Sequence, residues 1–256
     1  MKKTKKVVLI TGGSSGIGLV IAQKFLENKD NVIITGRNLS KLEKAKLEIP
    51  SIHIEQSDVT NEEDVRALAL KMERVFGGID VLFNNAGIMN LVDAGSEHNQ
   101  LARQFAEIAI NFNAPIRMLH YFLPQLKESD CGTLINTSSA LAYVPFSQAP
   151  VYSGTKSALH SWTKAIRPQL KRYGIKVVEL LPPVVATKLA QDANLKDDNL
   201  KPMAPEKLAN IFWNDYQKGK EEITPGISRQ LKLLSRLAPK FAFKQLNKQP
   251  IPNLDK

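Results

Sequence analysis

Apolar and polar positions along the first three-quarters of the chain switch between two periods. Val7–Thr11 is a short β-branched run that ends in glycine-rich sequence, and 17–26 then carries apolar residues at helical spacing. This reads as strand, turn, helix. The alternation recurs as a strand over 31–35, a helix over 39–48, a strand over 52–55, a helix over 62–76 and a strand over 79–83. A helical stretch over 100–126, a strand over 133–137, a helix over 152–173 and a strand over 175–181 continue it. Strands alternating with helices predict a parallel sheet covered on both faces, a doubly wound, Rossmann-like α/β fold. From 187 to 205 the sequence is polar and pattern-poor, which predicts a surface loop. Pro202, Pro205, Pro225, Pro239, Pro250 and Pro252 then break up the remainder, so the C-terminal part is expected to be the least regular.

Composition narrows the picture without choosing a function. With 256 residues, 43% of them hydrophobic and 23% charged, the chain fits one domain over 1–256 around one large core. The basic start is followed by only a short apolar run, Val7 to Ile10, too short for a secretory signal. No window approaches the roughly 20 apolar residues that span a bilayer. A cytoplasmic protein is the expectation. Cys131 is the only cysteine and the four histidines show no ligand spacing, so neither an internal disulfide nor a metal site is expected. The net charge of +10 would concentrate any anion, whether nucleic acid, lipid or a small ligand. No recognised nucleic-acid motif accompanies it.

The glycine-rich turn does choose. Thr11-Gly-Gly-Ser-Ser-Gly-Ile-Gly18 lies between the first strand and the first helix, where an open parallel sheet binds nucleotides. Glycines at 12, 16 and 18 permit a tight turn and close backbone approach, and the following helix start offers amide donors to pyrophosphate. The Lys-Ser/Thr ending of a triphosphate-binding loop is missing. The second strand ends Thr35-Gly36-Arg37, where a dinucleotide fold meets the adenosine ribose. A carboxylate there would favour NAD, whereas glycine followed by arginine leaves room for a 2′-phosphate and a guanidinium to grip it.

Thr-Gly-x-x-x-Gly-x-Gly resembles the signature of the short-chain dehydrogenase/reductase family, and further motifs follow in that family's order. They are Asp58-Val59, Asn84-Asn85-Ala86-Gly87, Asn111 in Ile110-Asn-Phe-Asn-Ala-Pro115, Ser139, Tyr152-Ser-Gly-Thr-Lys156 and Leu181-Pro-Pro-Val-Val-Ala-Thr187. The resemblance covers roughly 5–190 and is nearest the bacterial DltE-like branch. Pro183 departs from the family's usual glycine, and Ala114 stands where a glycine often follows the asparagine motif.

The resemblance implies a catalytic set of Asn111, Ser139, Tyr152 and Lys156. Tyr152 would exchange a proton with a carbonyl or alcohol, Ser139 would hold the substrate oxygen, and Asn111 would bend its helix and hold a water, with Asn113 the second choice for that role. A free tyrosine titrates near ~10, so it needs a neighbouring positive charge, which Lys156 four residues along the helix could supply. NADP(H) would be held by Gly12, Ser14, Ser15, Gly16, Ile17, Gly18, Arg37, Asp58, Val59, Asn85, Ala86, Gly87, Tyr152, Lys156, Pro182, Val185 and Thr187. His160 reads as an ordinary helix histidine, since no nucleophile elbow surrounds Ser139.

Family architecture implies an irregular C-terminal helical lid over 187–256, a homodimer or homotetramer, and a small-molecule carbonyl or alcohol substrate, with no nucleic acid. The alternative is a catalytically idle dinucleotide-sensing protein of the same fold. Over 227–246, Lys232, Arg236, Lys240 and Lys244 recur beside Leu231, Leu234, Leu237 and Phe241, with Pro239 interrupting any single helix. This segment reads as a lid or packing helix, with contact to an anionic membrane surface as the other reading.

Overall fold

The apolar runs become buried strands. Every residue of β1 (Val7–Thr11) is buried, as are all those of β4 (Val81–Asn84) and β5 (Thr133–Thr137). The computed structural model describes residues 5–95, 101–192 and 201–248. Among these, β2 (Asn31–Gly36), β3 (His53–Gln56), β6 (Lys176–Leu180) and a short β7 (Glu222–Ile223) complete one seven-stranded sheet in the order β3-β2-β1-β4-β5-β6-β7, parallel throughout. The order reverses between β1 and β4. That reversal opens a crevice at the carboxyl ends of the strands, which is where the predicted site residues lie.

Helices cover both faces. α1 (Gly16–Glu27) and α2 (Leu39–Glu48) bury Ile21, Phe25 and Leu42 on one face. α3 (Glu62–Phe76), α5 (Ala114–Glu128) and α6 (Pro150–Lys171) bury Met72, Phe122 and Ile166 on the other. Local chemistry sets several boundaries. The Asn38 and Asn61 side chains accept amide bonds at the starts of α2 and α3, and Gly77 ends α3 in a left-handed conformation.

Two regions differ from the sequence reading. The helical stretch expected over 100–126, with a bend implied at Asn111, is three pieces: α4 (Leu101–Ile108) runs into a π-helical turn at Ala109–Asn113 before α5, and residue 100 lies outside the described residues. The C-terminal part is more regular than its prolines suggested. α8 (Pro205–Gln217) and α10 (Pro239–Leu246) each begin on a proline at the first helical position, where the missing N–H costs nothing, and α9 (Ile227–Leu237) stands between them. The loop expected over 187–205 contains the short α7 (Lys188–Asp192) and a bridge between Val185 and Met203, while 193–200 lie outside the described residues. So do the ends of the domain assigned to 1–256, at 1–4 and 249–256 with Pro250 and Pro252.

α8 lies against α1 and builds much of the outer core. Phe212 is fully buried, stacked on Phe83 (centroids 5.7 Å apart) and on Tyr216 (5.6 Å), while Trp213 meets the edge of Phe25 at 5.2 Å. Phe212→Ala should therefore cost about 3–5 kcal/mol, read as a lower urea midpoint. A loss under about 1 kcal/mol would show that α8 contributes little to the core.

Candidate active site

Close approach of two backbones builds the floor of the crevice. Gly12 has φ of 63°, and a Cβ there would sit 2.8 Å from Ala86 Cα; one on Gly18 would lie 2.6 Å from both Asn85 Nδ2 and the Gly12 carbonyl oxygen. The Thr11 hydroxyl accepts the Asn85 and Ala86 N–H groups at 3.0 Å each, and the Asn85 amide donates to the Thr11 and Gly12 carbonyls at 3.1 Å each. Asn85 is thus committed to holding the turn. α1 opens at Gly16 behind Ser15, whose side chain makes no capping bond. The first-turn amides are therefore left beside a cavity of about 690 Å³ that Gly12, Ser14, Ser15, Gly16 and Ile17 help to line.

One end of this cavity is cationic. Gly36, Arg37 and Lys41 line it, and the Arg37 carbonyl accepts from Gln56 Nε2 at 2.9 Å, which fixes the chain leaving β2. Lys41 was missed by the sequence reading, although its place in the first turn of α2 is what brings it there. Asp58 and Val59 line the same end. Asp58 Oδ1 accepts from the Thr60 amide (2.8 Å) and hydroxyl (2.7 Å), and the Val59 carbonyl accepts from Arg117 at 3.0 Å.

Ser139, Tyr152 and Lys156 line the cavity, while Asn111 does not line it but is tied to Ile88, which does; all four are at most 8% exposed. Ser139 follows β5 and accepts the Leu141 amide at 3.1 Å; its hydroxyl lies within hydrogen-bonding reach of the Tyr152 phenol. Lys156 donates to the Thr137 carbonyl at 2.8 Å and stands 5.5 Å from the centre of the Tyr152 ring. Asn111 sits in the π-turn. Its amide donates to the Ile88 carbonyl (2.9 Å) and the Thr155 hydroxyl (3.2 Å) and accepts the Ile88 N–H (3.0 Å). Asn113 is exposed. A π-turn leaves local carbonyls without their usual partners, which suits a bound water there.

Burial, more than the lysine, governs the tyrosine. Desolvation pushes Tyr152 up to about 12, against the Ser139 hydrogen bond and with the help of the Glu107 charge. Lys156 is pulled down to about 8 by burial, opposed by Glu107 and then Glu179. The phenol is therefore neutral at pH 7, and burial works against the lowering that a neighbouring lysine would give.

At the far side, the Ala140 amide donates to the Pro182 carbonyl (3.0 Å), and Met203 ties Val184 and Ala186 by a bond of 2.9 Å each. Pro183 sits between these held neighbours, where a fixed φ is tolerated. Val185 and Thr187 line the cavity, and Thr187 Cγ2 would lie 3.1 Å from a Cβ on Gly16. Gly87 also lines it.

Sequence reasoning overlooked a second set of polar residues. Glu107 is fully buried four residues before Asn111, so the helical i, i+4 relation was the signal that could have found it. His160 is not an ordinary helix histidine: its Nδ1 lies 2.9 Å from the fully buried Glu179, which also accepts from Ser138. Lys232 is not a solvated member of a basic stripe either, since it pairs with Glu222, the acceptor of the Tyr143 hydroxyl. Leu231 and Leu234 line the cavity, whereas Leu237 and Phe241 point outward at 74% and 54% exposure, so the apolar stripe is split where α9 ends. Among the described residues no helix is long and apolar enough to cross a membrane, and no cluster of three candidate ligands could hold a metal ion.

The family model for short chain dehydrogenase matches residues 6–198. The chain is 36% identical over 250 residues to the uncharacterized oxidoreductase DltE of Bacillus subtilis, covering 97% of this chain and 99% of the other. It is 31% identical to the uncharacterized oxidoreductase MW2403 of Staphylococcus aureus, over 80% and 88% of the two chains. In fold it is similar to a short chain dehydrogenase from Burkholderia cenocepacia solved in complex with NADP (TM-score 0.83, 22% identity, 98% and 100% coverage). A short-chain dehydrogenase from Streptomyces avermitilis gives TM-score 0.81 at 24% identity, with 95% and 97% coverage.

Because Gly12 combines a positive φ with a backbone neighbour that cannot yield, Gly12→Ala should destabilise the fold by about 2 kcal/mol or more. Thermal or chemical denaturation reads this directly. An unchanged midpoint would mean that the turn and the end of β4 are free to separate.

Proposed function

The chain belongs to the short-chain dehydrogenase family of oxidoreductases, and from that premise we propose that it reduces a carbonyl compound, or oxidises the matching alcohol, with NADP(H). The observation that carries the proposal is the meeting of the Ser139 hydroxyl, the Tyr152 phenol and the buried Lys156 ammonium at the centre of one cavity, with Arg37 and Lys41 at one end and α9 at the other.

The residues present fit such a cofactor. The side-chain-free turn at Gly12 and Gly16, the uncapped start of α1 and the Arg37 and Lys41 charges provide for pyrophosphate and a 2′-phosphate, and Gly36 places no carboxylate in the way. When bound, NADPH would supply the hydride. The protein's own part is to orient the substrate oxygen through Ser139 and to deliver a proton to it from the Tyr152 hydroxyl. A phenol held neutral by burial is in the form this step needs. Lys156 supplies the nearby positive charge that tempers the phenolate left behind. Leu231 and Leu234 of α9, with Leu141 and Phe146, give the substrate end an apolar wall, which favours an apolar carbonyl compound over a highly charged one. The segment from 187 onward would act as the lid, seated by the Lys232–Glu222 pair.

Two measurements test this reading. With NADPH and a panel of aldehydes, ketones and quinones, Tyr152→Phe should lose at least ~10²-fold in kcat while cofactor binding by titration stays nearly unchanged. A variant keeping most of its activity would remove Tyr152 from the chemistry. Arg37→Ala should weaken NADPH by about 10- to 100-fold and NADH little, since one charge-assisted phosphate contact contributes roughly 1.5–3 kcal/mol. Equal affinity of the unmodified protein for the two cofactors would overturn the NADP(H) assignment.

A further inference from the structure

Glu107 is a buried acid with no part in the chemistry above. It is 0% exposed on α4, one turn before Asn111. Its Oε1 accepts the Asn90 backbone N–H at 3.0 Å, while Oε2, equally buried, closes no hydrogen bond of normal geometry and has the Asn90 side chain, whose Nδ2 is likewise buried and unpartnered, beside it. Burying a carboxylate costs several kcal/mol unless a charge answers it, and the Asn90 groups beside Glu107 are neutral. Hydrogen bonds from Asn90 alone leave the buried charge unbalanced.

Its surroundings name the answering charge. α4 packs on α6, and the described groups that act on Glu107 are the Asn90 main chain and side chain from the loop after β4 and Lys156 from α6. In turn Glu107 acts on Tyr152, also of α6. Arg103, one turn earlier on α4, is exposed. Gly87 keeps the meeting point open: a Cβ there would lie 3.3 Å from Asn111 Oδ1 and 3.6 Å from Lys156 Nζ. Among the influences on Lys156, Glu107 is the largest that opposes burial, ahead of Glu179.

We infer that Glu107 is a positioning residue for the proposed reaction, a buried counter-charge that keeps Lys156 cationic and thereby sets the pH range over which Tyr152 works. The inference rests on the reductase reading for its effect on activity, whereas the Glu107–Lys156 coupling can be tested without turnover. Desolvation holds the Glu107 carboxyl up at about 7, so it changes charge near neutrality while Lys156, at about 8, still holds its proton. The sign follows. Removing the carboxylate leaves burial less opposed, so Lys156 loses its proton at lower pH. Removing the ammonium moves the Glu107 titration to higher pH.

The decisive experiment is infrared titration of the cofactor-free protein carrying ¹³C-carboxyl glutamate, in unmodified, Glu107→Gln and Lys156→Met forms. A protonated buried glutamate should disappear near neutral pH in the unmodified protein, be missing from E107Q, and titrate about one pH unit or more higher in K156M. With turnover, E107Q should move the alkaline limb of kcat/KM down by about one pH unit, and Glu107→Asp should restore part of that shift. A Glu107 that titrates in the ordinary carboxylate range and is unmoved by K156M overturns the inference, and so does an alkaline limb unchanged in E107Q. If E107Q fails to fold, the comparison of unmodified protein with K156M decides alone. A shifted titration in a protein that turns over no carbonyl compound would instead sink the reductase reading and leave the coupling standing.

Discussion

The structure depends on how closely the turn after β1 approaches the end of β4. Thr11 and Asn85 lock the two strand ends through four hydrogen bonds, each between one side chain and a backbone group. That lock is compatible with a missing side chain at 12 and 18 and with little else. From it follow the start of α1 beside the crevice and the path of the loop 85–90. Asn111 grips that loop at Ile88, and Glu107 grips it at Asn90. One steric constraint at the sheet's reversal point therefore places both the phosphate-binding turn and the scaffold of the catalytic set.

A second feature spreads outward from the sheet. β6 and β7 set Glu179 and Glu222 side by side in register, two like charges that would repel if left unanswered. His160 and Ser138 answer the first, while Lys232 and Tyr143 answer the second. Tyr143 also meets the His160 ring edge at 5.1 Å, so the two halves form one network from α6 to α9. Burial and the Glu222 hydrogen bond both push the Tyr143 phenol well above its ordinary range, so it acts as a fixed donor. The helix that walls the substrate end is thereby seated by polar contacts as well as by the apolar side chains of Leu231 and Leu234.

The order of strands and helices was legible because the central strands β1, β4 and β5 are buried throughout and most strands carry short β-branched or apolar runs, several of them bounded by glycine or a capping asparagine. The glycine turn and the Tyr-x-x-x-Lys pair were legible because their chemistry depends on local spacing. What escaped depends on distant partners. Lys232 looks like any surface lysine until β7 brings Glu222 beside it, and β7 is too short at two residues to announce itself. Glu107 lies on a helix whose neighbours Phe105 and Leu101 are exposed, so its polarity gave no sign of an inward position. The π-turn leaves almost no signature, since it inserts one residue into an otherwise helical pattern. The prolines at 205 and 239 misled for a simpler reason: the same ring that breaks a helix interior starts one.

These features bear together on the balance at Tyr152. Desolvation is the largest influence on it and favours the neutral phenol, a proton donor. Turning that phenol into a base requires positive charge close by, and Lys156 is the side chain placed to provide it. Yet the same burial that holds the phenol neutral weakens the lysine's hold on its proton, so a Tyr-x-x-x-Lys pair without counter-charge would work against itself in this setting. Glu179 on one side, already tied to Ser138 and His160, and Glu107 on the other, with an oxygen that closes no hydrogen bond of normal geometry, supply the counter-charge from two different elements. The Glu107 charge also raises Tyr152 directly, so its effect through Lys156 opposes its effect on the phenol. A carboxyl whose own proton comes and goes near neutrality is suited to that compromise, because it lends its charge to the lysine only over the range where the lysine would begin to lose its own.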